Sequence, residues 1–400
     1  MPGPAGSAQR RLSTSLFTMN GETHKTSRQL LLPLFQKSFL HTYHADLVDG
    51  IENLLSSWRH GQRLDLPTEM RRWSWSTAGR LLYGLDVSGC DDALRHEIDR
   101  WAALNFGWAT RGMPVDLPFF PYRRLLNRAR SVEQTLVDLL RVKNSQSASG
   151  RDVMSLLVGS QQAVGRTLTQ EEFIGHAITM FLAAFETTAN TLTWTLFLLD
   201  QHPEVHADLV DELKVLGGQA PRIDQLERLP LLDRVLKESM RLLPAVVFSR
   251  RIATQDGPLG EYELPAGSRV LFSHYMTHHL PSIYTEPETF RPSRWEEFAP
   301  SPGQYLPFGM GARFCIGAAF ANLVVKTALA TIVPRWRIQV APKARVDRKV
   351  VITLSPRFGI PARLAAQNGD FRCNQVRGNI HEMVDLRPTA RVAHPVRRAA

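Results

Sequence analysis

The sequence predicts a mainly α-helical protein with a small β region, and three observations carry that reading. Apolar residues recur at helical spacing through most of the chain, in patterns covering 40–85, 94–106, 122–144 and 169–199. Short runs with strand character, at 246–252, 268–273, 336–340 and 350–364, all follow the longest helix. Of the 400 residues, 44% are hydrophobic and 22% charged, so the chain can bury a large core.

Composition also excludes several functions. The three cysteines, Cys90, Cys315 and Cys373, are far apart and form no CxxC pair. That rules out a disulfide framework or a cysteine-rich zinc site and suits a reducing compartment. Met1 to Gln36 is polar and basic, without the apolar run of a signal peptide. The longest apolar stretch, Phe173 to Leu199, is interrupted by His176, Glu186 and Asn190, which argues against a bilayer-spanning helix. The expectation is a soluble, cytoplasmic protein with no transmembrane anchor. A net charge of +10 is compatible with nucleic acid, an anionic membrane or an acidic protein partner. No aromatic-interleaved basic motif accompanies it, so nucleic acid is discounted.

In chain order, residues 1–19 read as a short irregular N-terminus. Asn20 to Phe35 reads as a turn followed by a helix, on which His24 and Arg28 share a face. Within 40–85, Trp73 and Trp75 read as core. Pro114, Pro118 and Pro121 then break the helical pattern around Leu117, Phe119 and Phe120. A charged helix over 122–144 leads to a polar, flexible connection at 145–150. The helix from Thr169 to Leu199 carries Ala183-Ala184-Phe185-Glu186-Thr187-Thr188 at its middle. An acid and two hydroxyls inside an apolar helix need partners, because unpaired buried polar groups cost free energy. A threonine can bond back to the carbonyl one turn earlier, or the acid and hydroxyl can hold water and relay protons.

Glu238 and Arg241 lie three apart on a further helical pattern, the spacing of an ion pair. Leu306 to Ala321 reads LPFGMGARFCIGAAFA, with an apolar helical run over 318–332. Glycines surround the thiol, so this reads as a tight loop that delivers Cys315 to a helix start. The partial positive charge there lowers a thiol's pKa, and a thiolate is a metal ligand whose electronics nearby amides tune. A buried, inert cysteine would fit the same residues equally well in isolation. Asn368 to Ala400 is polar and arginine-rich with little periodicity, and reads as a disordered basic tail.

Taken whole, the cysteine loop resembles the haem-ligand loop of the cytochrome P-450 family, Phe-Gly-x-Gly-x-Arg-x-Cys-x-Gly. Phe308, Gly309, Gly311, Arg313, Cys315 and Gly317 match at every specified position. The 183–188 stretch is similar to the family's acid–threonine motif, although Ala184 stands where a glycine is usual. The resemblance implies the cytochrome P-450 fold over residues 20–367, with haem b between the long helix and the cysteine loop. It implies Cys315 as the axial iron ligand, His24, Arg28 and Arg251 at the haem propionates, and Phe308, Arg313 and Gly317 in the cofactor loop. Glu186 and Thr187 become the proton-handling pair, Glu238, Arg241 and Arg294 a structural network, and 106–122 part of a lid over the substrate channel. Family members usually carry sheet strands and a helix ahead of the His24 segment. These have no counterpart in residues 1–19, so the resemblance implies a missing N-terminal segment and an open sheet edge.

The activity implied is a haem-thiolate monooxygenase that inserts one oxygen atom from O2 into an apolar small molecule: a terpenoid, fatty acid or polyketide-like compound. Electrons would come from an acidic ferredoxin or flavodoxin-type donor with its reductase, docking where Arg313, Lys326 and Arg335 are basic. Two other readings stay open, a haem-thiolate enzyme that uses peroxide or isomerises its substrate, and a catalytically silent haem-binding protein.

Overall fold

A computed structural model describes residues 3–84, 92–146, 152–157 and 168–386. Cys90, the 147–150 part of the polar connection and the 387–400 part of the expected tail lie outside the described residues. Helices dominate, as expected. Apart from two four-residue helical turns, Ile223–Leu226 and Arg294–Glu297, the described α-helices are, in order, α1 (Ala8–Leu12), α2 (Gly21–Leu31), α3 (Lys37–Ser56), α4 (Leu66–Tyr83), α5 (Asp92–Phe106), α6 (Trp108–Gly112), α7 (Pro121–Gln146), α8 (Gln170–Gln201), α9 (Pro203–Leu213), α10 (Pro230–Leu242), α11 (His274–His278) and α12 (Ala318–Ile332). The helix expected after the cysteine loop has the bounds read from the sequence.

The chain groups into two compact units. The first comprises Met1–Ser57, Met70–Ala189 and Phe314–Ala328, the second Trp58–Glu69, Asn190–Arg313 and Leu329–Ala400. Long helices start where the sequence supplies a start signal. Thr169 Oγ1 accepts from the Glu172 amide at 3.1 Å while the Glu172 carboxylate accepts from the Thr169 amide at 3.1 Å. This reciprocal pairing satisfies two donors that a helix start leaves unpaired, and it opens α8. Proline occupies the first position of α9 and of α10, where its missing N–H costs nothing. The Glu212 carboxylate accepts from the amides of Leu231 and Leu232 at 2.7 and 2.8 Å, capping α10 with a negative charge.

In the first unit, the N-terminal stretch expected to be irregular contains α1, capped by the Ser7 hydroxyl. It is held by a wholly buried Gln9, whose amide donates to Asn105 Oδ1 at 2.9 Å and accepts from Trp101 Nε1 at 2.8 Å. Gln9 is a polar residue, which is why apolar periodicity gave no sign of α1. Thr14 follows α1 and its carbonyl lies where a Cβ on Gly175 of α8 would sit, 1.8 Å away, so only glycine allows this close approach. Trp75 and Tyr83 of α4 pack on Phe181 and Phe185 of α8, with the Trp75 ring 4.5 and 5.1 Å from the two phenylalanines.

All the strands among the described residues lie in the second unit. β1 (Arg63–Asp65), β9 (Pro361–Ala366) and β6 (Trp336–Val340) form an antiparallel sheet in the order β1-β9-β6. β2 (Phe248–Ile252) pairs β5 (Arg269–Ser273), β3 (Gly257–Leu259) pairs β4 (Tyr262–Leu264), and β7 (Arg348–Val350) pairs β8 (Leu354–Pro356), all antiparallel. β1 breaks the helical stretch expected over 40–85. Its three residues have their partner almost 300 positions away, so no local pattern reports it. The β2–β5 ribbon is two-stranded and exposes Phe248, Ile252, Leu271 and Phe272.

The tail expected to be disordered from residue 368 is instead packed onto this unit as far as Leu386. Arg377 donates its amide to Ala344 O at 2.8 Å and accepts from the Val346 amide at 2.7 Å, and Asp385 donates its amide to Glu288 O at 2.9 Å. Val376, Ile380, Met383 and Val384 are buried. Only the 3-10 turn Asn379–Glu382 is helical here, so no regular periodicity marks these four apolar residues, and averaging composition over a polar segment hid them.

Candidate functional site

The cysteine loop begins on a buried scaffold in the second unit. Glu238 is fully buried and its carboxylate collects five donors. Oε1 accepts from Arg241 Nη2 at 2.9 Å, the Arg291 amide at 3.1 Å and Arg294 Nε at 3.3 Å. Oε2 accepts from Arg241 Nε at 3.0 Å and Trp295 Nε1 at 2.9 Å. Arg241 also donates to the carbonyls of His278, Pro287 and Thr289, so the charge of α10 fixes several backbone turns at once.

His278, to which the sequence assigned no role, joins that network to the loop. Its Nδ1–H donates to Arg241 O at 3.2 Å, and its Nε2 accepts from the Leu306 amide at 2.7 Å. An Nε2 that accepts is unprotonated, so the ring is neutral. Burial first, and then the Arg241 charge, lower its pKa to about 3. Tyr305, stacked on the His278 ring, donates its hydroxyl to Lys237 O at 3.1 Å. Leu306 then opens a turn closed by the Gly309 amide at 3.0 Å, and Gly309 and Gly311 take φ of 70° and 67°, the left-handed region that glycine enters at no steric cost. Phe308 is half-buried, as is Arg313.

In the first unit, Cys315 precedes α12 and its carbonyl accepts from the Ala318 amide at 3.4 Å. The Cys315 side chain is exposed, as is Phe314 beside it. Crowding by protein atoms pushes its thiol pKa up, while the Gly317 amide, which hydrogen-bonds the sulfur, and the Arg28 guanidinium pull it down. The residue as a whole stands at the protein surface, beside the exposed Phe314. The net upward direction corrects the expectation of a lowered pKa, because the pull of one amide and one cation is smaller than the desolvation. Arg28 lies on α2, one turn from the buried His24.

Glu186 and Thr187 lie in the same unit, on α8. Thr187 Oγ1 donates to Ala183 O at 2.6 Å, the back-bond expected of a threonine inside a helix. Glu186 is met by Arg71 of α4, whose Nη1 is 3.8 Å from its Oε1 and whose guanidinium lies 5.6 Å from the Phe185 ring centre. Arg71 also reaches Asp99 at 3.5 Å. The Ser74 hydroxyl, one turn on, donates to Phe185 O at 2.8 Å, and Tyr83 donates to Ala177 O at 2.9 Å. Sequence reading missed Arg71 and Ser74; their spacing of three on one helix was the available signal.

The structure therefore groups Cys315, Gly317, His24, Arg28, Glu186 and Thr187 in one unit, with Phe308, Arg313 and Arg251 in the other. Arg251 is exposed on β2 and donates to the neighbouring Arg250 O at 3.0 Å.

Residues 2–358 match the family model described as Cytochrome P450. This chain belongs to the cytochrome P450 family. Among its relatives, cyclooctat-9-en-7-ol 5-monooxygenase of Streptomyces melanosporofaciens is 31% identical over 345 residues, spanning 84% of this chain and 75% of that enzyme. Cyclooctatin synthase of the same organism is 32% identical over 88% of this chain and 79% of its own length. Pentalenene oxygenase of Streptomyces avermitilis is 30% identical over 88% and 80%. The fold is similar to that of a retinoic acid-bound cyanobacterial CYP120A1, with a TM-score of 0.81 and 22% identity over 92% of this chain and 84% of that one.

As a cytochrome P450 monooxygenase, the protein takes haem as its cofactor, and the residues present fit it. A cysteine sulfur in an exposed residue just ahead of a helix is a soft donor suited to iron. The exposed Phe314 offers apolar surface beside that sulfur, and Arg28, whose charge acts on the thiol, suits the carboxylates of the haem edge. No described helix is long and apolar enough to cross a membrane.

Proposed function

We propose that this cytochrome P450 hydroxylates a terpenoid, with electrons from a separate acidic ferredoxin- or flavodoxin-type donor. One observation carries the substrate class. Relatives matching more than four-fifths of the chain are named for acting on cyclooctat-9-en-7-ol and pentalenene. Bound haem supplies the reduction of O2 and the transfer of one of its atoms to carbon. The balance consumes substrate, O2, two electrons and two protons, and yields the hydroxylated product and water.

The chain's own residues have distinct parts in this reading. Cys315 would hold the haem iron through Sγ, and the Gly317 amide would withdraw some of the sulfur's charge. His24 and Arg28, which share α2, would pair with a haem propionate, and Arg251 on β2 is a further candidate for that role. Glu186, faced by Arg71, would take protons from solvent, and Thr187 Oγ1 would pass them on. Lys326, Arg313 and Arg335 meet the acidic donor, so reduction should slow as ionic strength rises. A reduction rate indifferent to salt would contradict that docking.

The test is turnover under isotopically heavy O2, with a ferredoxin, its reductase and a panel of terpenoids, fatty acids and polyketide-like compounds. The expected result is a terpenoid product carrying one heavy oxygen atom, formed only when the electron donor is supplied. Turnover restricted to the other two classes, or supported equally by peroxide alone, would overturn the proposal.

A further inference from the structure

Strands β2 to β5 make one continuous arm. Beyond the β2–β5 ladder, the Ala253 amide donates to Ser268 O at 2.9 Å and the Ala253 carbonyl accepts from the Gly267 amide at 2.8 Å. The Asp256 carboxylate accepts from the Ala266 amide at 2.7 Å, and the β3–β4 hairpin closes the end. Among the described residues no further strand pairs with either edge of this two-stranded arm. A ribbon of two strands is marginal alone in water and gains stability when a face or an edge is covered.

One face of the stem is open. Side chains alternate across a strand, so the register Phe248↔Ser273, Arg250↔Leu271 and Ile252↔Arg269 puts these six residues on one face. All but Ser273 are exposed, Phe248 at 41%, Ile252 at 56% and Leu271 at 62%. Arg251 and Phe272 belong to the opposite face. At the tip, Leu259 and Tyr262 stand opposite each other across the turn Gly260–Glu261, and both are exposed. Charge divides the arm in the same way. The stem strands β2 and β5 carry Arg250, Arg251 and Arg269 and no acid, whereas the segment from Asp256 to Glu263 carries Asp256, Glu261 and Glu263 and no base. Arg250, Arg269, Glu261 and Glu263 are all exposed, and none has an ion-pair partner among the described residues.

An arm that is apolar and basic at its stem and apolar and acidic at its tip is complementary to itself. Two copies related by a two-fold axis, with their arms antiparallel, set each tip on the other's stem. Acids then meet arginines, and Leu259 and Tyr262 meet Phe248, Ile252 and Leu271, at both ends of the pair at once. We propose that this arm is the interface of a homodimer, its occupant a second copy of the chain. The inference is independent of the catalytic reading, and its test needs no turnover.

Sedimentation equilibrium of the haem-loaded full chain should show a reversible dimer that weakens as salt is added. Leu271→Asp should abolish the dimer while keeping the wild-type circular dichroism spectrum. A stem-reversed chain, Arg250→Glu with Arg269→Glu, and a tip-reversed chain, Glu261→Arg with Glu263→Arg, should each self-associate at least about tenfold more weakly, because like charges meet at both symmetry-related contacts. Mixed in equal amounts, the two reversed chains should recover the dimer, since an acidic stem then faces a basic tip and a basic stem an acidic tip. A wild type that stays monomeric at about 100 µM, a dimer that survives Leu271→Asp, or reversed chains that fail to pair when mixed would overturn the proposal. So would a monomer that instead binds a synthetic acidic, apolar peptide through Leu271, since that would assign the face to a different protein.

Discussion

Replacing Glu238 by glutamine changes one oxygen for an NH2 group and removes one negative charge, with almost no change in volume. The variant's remaining oxygen can serve one side of the carboxylate's five donors. The new amide then faces either Arg241 Nη2, Arg294 Nε and the Arg291 amide, or Arg241 Nε and Trp295 Nε1, and accepts from none of them. At least two hydrogen bonds are lost, and two guanidinium groups at most 3% exposed lose their counter-charge. Breaking a buried ion pair from one side typically costs about 3–5 kcal/mol, a large share of a stability of about 5–15 kcal/mol. For a unit of this size the expected fall in melting temperature is roughly 6–20 °C. Thermal unfolding followed by circular dichroism measures it, and haem retention during gel filtration reports the loosened Leu306 anchor. A Glu238→Gln protein that melts within about 2 °C of wild type would refute the claim that this network holds the cysteine loop.

Two further outcomes are expected. Asp200 is buried and its pKa is pushed up to about 7, chiefly by desolvation, even though its carboxylate accepts from Gln201 Nε2 at 2.9 Å and the Val340 amide at 3.3 Å. A folded pKa above the unfolded one means that the native state holds the proton longer, so this contribution is full below the unfolded value near 3.8 and is lost as pH rises through about 7. Asp200→Asn, which keeps an acceptor for both donors, should therefore be more stable than wild type at pH 8 by about 2–4 kcal/mol, with the gap closing toward pH 4. His206, lowered to about 4, changes stability in the opposite sense in both proteins and cancels in the difference; a gap that does not vary with pH in urea titrations would contradict the assignment. Thr187→Ala removes the back-bond to Ala183, a neutral hydrogen bond worth about 0.5–1.5 kcal/mol, so its stability should fall by about that amount while more of the reduced oxygen appears as peroxide. Unchanged coupling of electron use to product would leave Thr187 a purely structural residue.

Much of the fold was legible because it is local. Trp336–Val340 and Ala318–Ile332 have the bounds their periodicity predicts, and α8 is the long apolar helix that Thr169 to Leu199 describes. What was hidden depends on distant partners or on polar groups. β1 exists through β9, α1 through Gln9 and its contacts with Asn105 and Trp101, and the packed 368–386 segment through four apolar residues in a polar background. The site follows the same division. Cys315 and its glycines were readable because the turn needs those residue types, whereas His278 and Arg71 owe their placement to packing that joins separate helices. The direction of the thiol's pKa was misread for a related reason. The helix start is visible in sequence, but the crowding that outweighs it is not.

The central claim is that Cys315 would hold the haem iron through its sulfur, and the absorption spectrum of the reduced protein under carbon monoxide tests it directly. The wild-type chain loaded with haem should give the strongly red-shifted Soret band of thiolate ligation. Cys315→Ser should lose that band while still retaining haem. Persistence of the red-shifted band in Cys315→Ser, or its absence from the haem-loaded wild type, would contradict the account.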